Sequence, residues 1–148
     1  MCGIAGLIHR GKSSNVGSEL QQMLQALKHR GPDSTGYALY AENDGKNFIM
    51  RFKVGENVGE GSTSVNEDAS VYDERKKLVD QMLKELGANI VKDEKLTPYS
   101  YRYEMQFDKD LMEFSKKIES INGVEILSIG KSLELIKDLG DAAAVSER

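Results

Sequence analysis

The residue best suited to covalent chemistry is Cys2, the single cysteine of the 148-residue chain, which directly follows Met1. Cysteine is small enough that a preceding initiator methionine is commonly removed, and removal leaves a thiol and a free α-amine on one residue. The pKa of an α-amine is about 8, so its neutral form can take the thiol proton without a histidine partner. The simpler interpretation is a small buried apolar side chain in a glycine-rich segment, and the position alone leaves both open.

A second group of reactive side chains lies at residues 29–36, which read His-Arg-Gly-Pro-Asp-Ser-Thr-Gly and connect a predicted helix to a predicted strand. If the strands on either side of this group are neighbours, Arg30 comes near Cys2, where it would stabilise a thiolate, orient a loop or hold a carboxylate. The alternative is that Arg30 and Asp33 pair with each other and staple the turn. Gly31 and Pro32 shape the turn in either case.

Taken together, Met-Cys-Gly-Ile-Ala-Gly at residues 1–6 and the group at residues 29–36 resemble the start of the class II glutamine amidotransferases, the N-terminal-nucleophile family. The resemblance implies an α+β fold of the Ntn-hydrolase type, an α-β-β-α sandwich. It implies that Cys2 attacks the side-chain amide of glutamine, releases ammonia and forms a glutamyl thioester that water hydrolyses. It also implies that Arg30, Gly31 and Asp33 form the substrate-binding turn beside the nucleophile.

The motif-rich resemblance covers residues 1–54, and the α+β stretch that follows is most similar to the glutaminase subunit of archaeal-type glutamate synthases. That similarity implies a synthase partner that receives the ammonia. The family's His-Thr-Arg motif, whose arginine grips the substrate carboxylate, has no match in this sequence. Asn122-Gly123 is the only match to the Asn-Gly pair of the family's oxyanion hole, but its place between a helix and a strand favours a turn.

These missing groups lead us to expect the N-terminal part of a longer amidotransferase domain. We expect residues 1–55 to be the start of a type 2 glutamine amidotransferase domain and residues 56–148 to be an α+β insertion or a continuation of it. The alternative function is a non-catalytic module, either a truncated fragment or a regulatory α+β domain of that family.

The apolar pattern predicts the elements that must position Cys2 and Arg30. In the first part it predicts a buried strand at residues 2–8, a helix through Leu20 and Leu27 that ends near Arg30, and strands at 36–41 and 48–54. The sequence Asn-Asp-Gly at residues 43–45 predicts a tight turn of the kind that joins antiparallel strands.

In the second part the pattern predicts a helix through residues 79–86 that Gly87 ends, strands at 88–91 and 99–107, a helix at 111–118 capped by Asp108, a strand at 124–129 and a helix at 132–139. A further strand within 56–71 would make this module ferredoxin-like. The alternating Tyr99, Tyr101 and Tyr103 favour core packing over base stacking, because no basic surround accompanies them.

The amino-acid composition argues against some classes of binding partner. The chain has 20 Lys and Arg against 24 Asp and Glu, a net charge of −4, which argues against nucleic acid and anionic membranes as partners. No apolar run has the length of a membrane span, and one cysteine allows no internal disulfide, so we expect a cytoplasmic protein. The two histidines, His9 and His29, do not have the spacing of a chelating pair. We therefore expect no metal and no cofactor.

Overall fold

The computed structural model describes residues 2–11, 15–30, 33–40, 45–55 and 69–147. The helices are α1 (Val16–Ala26), α2 (Ala69–Glu85), α3 (Leu111–Glu119) and α4 (Ala142–Ser146), with a 3₁₀ turn at Lys28–Arg30. The strands are β1 (Ser34–Tyr40), β2 (Phe48–Lys53), β3 (Asn89–Lys95), β4 (Ser100–Gln106), β5 (Glu125–Gly130) and β6 (Leu133–Leu139). The chain forms two compact units, one of residues 1–37 with 136–148 and one of residues 38–135.

The second unit is a four-stranded antiparallel sheet with the strand order β3-β4-β2-β5. Its elements follow one another as β2-α2-β3-β4-α3-β5, which is the connectivity of a ferredoxin-like unit. The first strand of this unit is β2, which the sequence analysis grouped with the N-terminal part. The strand considered within 56–71 lies outside the described residues up to position 68, and residues 69–71 belong to α2.

Apolar alternation explains this unit's core. Met50 and Phe52 of β2 and Tyr101, Tyr103 and Met105 of β4 all point to one face of the sheet and are buried. The helices α2 and α3 cover that face with Val79, Leu83, Phe114 and Ile118. The prediction that the tyrosine row packs in a core is therefore confirmed for Tyr101 and Tyr103. Asp110 caps α3 by accepting a hydrogen bond from the Glu113 amide at 2.8 Å, so the predicted cap at Asp108 is wrong.

The first unit joins α1 and the start of β1 to the end of β6 and α4. Strand β1 pairs with β6 in a two-stranded sheet, and its small core contains Tyr37, Ala142 and Val145. The predicted direct pairing of β1 with the next strand is wrong, since β2 belongs to the other sheet. The turn predicted at 43–45 lies mostly outside the described residues. The helix predicted at 132–139 is also wrong, because this segment is strand β6.

Residues 2–8 are not a buried strand. Alternate side chains are exposed there, with Ile4 at 92% and Ile8 at 93%, while Gly3, Ala5 and Leu7 are half-buried. No strand among the described residues pairs with this segment, so only one of its faces is covered. The glycine-rich apolar pattern indicated close packing correctly at Gly3 and wrongly at the isoleucines.

The architecture is thus mixed α and β with antiparallel sheets, which confirms the α+β class. The assignment of residues 1–55 and 56–148 to an amidotransferase domain and its insertion or continuation remains a prediction. Among the described residues, no helix combines the length and the apolar character that a membrane crossing requires.

Candidate active site

A cavity of about 270 Å³ lies in the first unit and brings the predicted site residues together. Its walls include Cys2, Arg30 and Asp33, which are separated by up to 31 positions in sequence. Gly31, the remaining predicted site residue, lies outside the described residues. The full lining comprises Cys2, Gly3, Leu24, Leu27, Lys28, Arg30, Asp33, Ser34, Thr35, Gly36 and Ala142.

Gly3 is what allows Cys2 to lie beside the end of α1. A β-carbon at position 3 would meet the Cβ of Leu27 at 3.1 Å and the Cβ of Arg30 at 3.5 Å. The first distance is tighter than ordinary van der Waals contact, so a side chain here would push the N-terminal segment away from the 3₁₀ turn. The absence of a side chain therefore places the residue after the thiol directly against the arginine-bearing turn.

Arg30 and Asp33 are each held by a backbone hydrogen bond. The Arg30 amide donates to the Leu27 carbonyl at 2.9 Å, which continues α1 into the 3₁₀ turn. The Asp33 carbonyl accepts from the Gly140 amide at 3.2 Å, and the Thr35 hydroxyl donates to the Gly140 carbonyl at 2.9 Å. The backbone of Gly140 thus forms hydrogen bonds with the residues on either side of Ser34, where β1 begins.

The charges of the lining suit an amino acid. Lys28 and Arg30 supply positive charge, Asp33 supplies negative charge, and Ser34 and Thr35 supply hydroxyl groups. A zwitterion needs a cation for its carboxylate and an acid for its ammonium group. The volume is close to the small end of ligand pockets, which begin at about 300 Å³. Cys2 is exposed, so a thiol stands at a cavity that can take a small polar molecule.

The lining residues that the sequence did not indicate as site residues include Lys28, Thr35 and Ala142. Lys28 precedes the recognised motif and Thr35 lies within it, but nothing in their types distinguishes them from ordinary surface residues. Ala142 carries no signal of its own, although Asp141 before a run of alanines is a typical helix N-cap. The Asp141 carboxylate accepts from the Ala144 amide at 3.1 Å, which starts α4 at the cavity.

The Asn122-Gly123 pair lies in the second unit, in the turn between α3 and β5, and is not part of the cavity lining. Gly123 has a φ of 78°, as an Asn-Gly turn requires. The turn interpretation is confirmed. His9 contacts Glu19 at 2.9 Å, and neither histidine lines the cavity. In the part of the chain that the structure describes, no group of three or more potential metal-ligating side chains is present.

Residues 1–57 match the family model of a glutamine amidotransferase domain. Over an alignment of 156 residues that includes the whole chain, the sequence is 31% identical to a "Putative glutamine amidotransferase" of Methanothermobacter thermautotrophicus (strain Delta H). The chain spans 46% of that protein's length. Residues 1–57 are therefore similar to a glutamine amidotransferase domain, and the whole chain is similar to part of that protein. The matched range contains Cys2, Arg30 and Asp33 and ends before Ala142.

Proposed function

We propose that this chain hydrolyses glutamine as a class II glutamine amidotransferase, with Cys2 as the N-terminal nucleophile after removal of Met1. The observation that carries the proposal is the shared cavity of Cys2, Arg30 and Asp33. A thiol, a guanidinium and a carboxylate from two separate segments are the groups that the sequence motifs associate with glutamine hydrolysis, and they line one space of amino-acid size.

The proposed reaction begins when the α-amine of Cys2 takes the thiol proton. The sulfur attacks the side-chain amide carbon of glutamine, and the amide nitrogen takes the proton and leaves as ammonia, so that a glutamyl thioester forms. Water then adds to the thioester carbonyl, the carbon–sulfur bond breaks, and glutamate and the free thiol are released. In this scheme Arg30, Gly31 and Asp33 bind and orient the substrate.

The ammonia would pass to a synthase subunit or domain, of the kind found in glutamate synthases. Within this proposal the first unit is the start of an Ntn-hydrolase α-β-β-α sandwich, and the ferredoxin-like unit interrupts it. A reactive thiol at Cys2 is most useful in a reducing compartment, which is consistent with a cytoplasmic location. The sequence resemblance at residues 1–6 and 29–36 supports these assignments.

The test measures ammonia release from glutamine by the purified chain, with the N-terminal residue determined by mass spectrometry. Cys2→Ala should lower the turnover by about a thousandfold or more, because no other group on the chain can form a thioester. A matched control retains Cys2 but blocks its α-amine with a removable N-terminal extension. This form should be inactive and should gain activity on cleavage. A mature chain that starts at Cys2 and releases no ammonia would instead favour the non-catalytic module.

A further inference from the structure

One wall of the Cys2 cavity comes from far outside the matched range. Ala142 is 1% exposed and is the first residue of α4. Its carbonyl accepts a hydrogen bond from the Tyr37 hydroxyl at 2.6 Å, and the nearby Gly140 backbone binds Asp33 and Thr35. The end of the first unit is therefore fastened to the same strand that begins at the candidate substrate-binding turn.

The side chain of Gln25 forms two hydrogen bonds with the residues around Ala142. Its Nε2 donates to Asp141 Oδ2 at 3.1 Å, and its Oε1 accepts from the Ala143 amide at 3.3 Å. The two halves of one side-chain amide thus bind the residue before Ala142 and the residue after it. The other carboxylate oxygen of Asp141 accepts from the Ala144 amide at 3.1 Å, so each oxygen has a separate donor.

Helix α1 and the residues that follow it also contribute to the cavity lining. Gln25 lies in the last turn of α1. The lining residues nearest to it in sequence are Leu24, Leu27, Lys28 and Arg30. Gln25 and Asp141 are not themselves among the lining residues. Their contact therefore joins the two walls behind the lining without occupying the space for a ligand.

We propose that Gln25 and Asp141 are positioning residues of the candidate active site, which set the separation between Ala142 and the Leu24–Arg30 side of the Cys2 cavity. This inference rests on the proposed function for its substrate, glutamine. It adds residues beyond the motif region to the glutaminase site, and it makes the segment that follows the second unit a part of that site.

Gln25→Glu tests the contact, because it removes the donor and places two carboxylates against each other. We expect the KM for glutamine to rise about tenfold with kcat lowered less than about threefold, since a displaced wall weakens substrate positioning. A merely structural role would lower the active fraction, and hence the apparent kcat, without changing KM. The matched control is Gln21→Glu, one helical turn earlier, where Gln21 Nε2 donates to Ser146 Oγ at 2.8 Å away from the cavity lining.

The double variant Gln25→Glu with Asp141→Asn swaps the two functional groups and provides the rescue. The amide introduced at position 141 can donate to the carboxylate introduced at position 25 and still accept from the Ala144 amide. That carboxylate also accepts from the Ala143 amide, so every hydrogen bond of the original pair is restored. KM should return to within about twofold of the unaltered chain. An unchanged KM in Gln25→Glu, or a swapped pair no better than the single variant, would overturn the positioning role.

A second measurement needs no turnover. Cys2 is the only cysteine, so its alkylation by a bulky maleimide can be followed by mass. If the contact sets the width of the cavity, Gln25→Glu changes this rate by about threefold or more, and the swapped pair restores it. If the unaltered chain releases no ammonia, the proposed function fails, and the alkylation rates still decide whether Gln25 and Asp141 set the cavity width. Equal alkylation rates in all variants would refute it.

Discussion

Two glycines in the second unit differ in what surrounds them, although their backbones are alike. Gly123 has a φ of 78° and Gly87 a φ of 80°. A β-carbon at position 123 would lie 2.6 Å from Arg75 Cζ and 2.7 Å from Arg75 Nε, whereas at position 87 the nearest atom is Lys109 Nζ at 3.9 Å. Substitution by alanine therefore strains the backbone at both positions and displaces a buried guanidinium at only one.

The expected costs follow from these surroundings. The left-handed conformation costs an alanine about 1 to 2 kcal/mol at either position. At position 123 the guanidinium must also move, and Arg75 is 9% exposed and donates to the Val54 carbonyl at 3.0 Å. A hydrogen bond from a charged donor contributes about 1.5 to 3 kcal/mol. We expect the free energy of unfolding to fall by about 1 to 2 kcal/mol in Gly87→Ala and by about 3 to 5 kcal/mol in Gly123→Ala.

Urea denaturation measures the free energy of unfolding of both glycine variants. Repeating Gly123→Ala in an Arg75→Met background tests whether displacement of the guanidinium causes the larger loss. Methionine fills part of the arginine's volume and is flexible enough to yield to a new β-carbon. In that background, Gly123→Ala should cost no more than Gly87→Ala costs in the unaltered chain. The reasoning is refuted if the two glycine variants are equally destabilised, or if the cost at position 123 is the same with Arg75 present and absent.

Two further predictions concern polar groups of the second unit, the half-buried Glu134 and the buried Tyr103. Glu134→Gln should lower the free energy of unfolding by about 2 kcal/mol, because the carboxylate accepts from Arg51 Nε at 2.7 Å and twice from Arg102 at 2.9 Å. Burial alone would raise the pKa of Glu134, but hydrogen bonds from Arg102 and Arg51 outweigh it and lower the pKa. The stabilisation by the Glu134 carboxylate is therefore complete above the ordinary pKa of about 4.3 and is lost as the pH falls through the lower pKa of the folded state. Urea melts at several pH values should show that the free energy of unfolding falls less steeply with acid in Glu134→Gln than in the unaltered chain. Tyr103→Phe removes a 2.6 Å hydrogen bond to Asp80 and should cost about 1 kcal/mol near neutral pH. Burial and the Asp80 carboxylate raise the pKa of Tyr103, so the unaltered chain should lose stability as the pH rises above about 10, and the same melts should show less alkaline loss in Tyr103→Phe.

Where apolar periodicity reports local burial, the sequence predicted the fold well. Strand β4 and the end of α2 followed from alternating tyrosines and from a stripe that stops at Gly87, whose amide donates to the Lys84 carbonyl at 3.0 Å. These signals come from residues a few positions apart, and the burial of one sheet face and one helix stripe is enough to produce them.

Prediction failed where a distant partner decides the structure. Residues 132–139 contain a helix-like spacing of apolar groups, yet this segment forms β6 against β1, and Glu134 binds arginines of β2 and β4. Arg51 and Arg102 lie 83 and 32 positions from Glu134 in sequence. No local pattern encodes such pairing, which overrides a weak helical preference.

The candidate site likewise has one part that local sequence motifs indicated and another part that depends on distant residues. The two motifs predicted that Cys2, Arg30 and Asp33 belong to one site, and all three line one cavity. The Gln25 contacts to Asp141 and Ala143 span 116 and 118 positions. A glutamine in an amphipathic helix and an aspartate before three alanines each have an ordinary local explanation, so neither indicates the other.

The distance between these residues has a physical consequence for the site. Bringing together the ends of a flexible segment of about 100 residues costs about 4 kcal/mol in chain entropy, and residues 38–135 separate the two parts of the first unit. A folded second unit has its own core, and its ends lie on β1 and β6, which are paired. Folding of residues 38–135 therefore removes much of the entropy that would oppose the return of Ala142 to the cavity. By this reasoning, a loss of stability in the second unit should raise the entropic cost of forming this wall, although none of that unit's described residues lines the cavity.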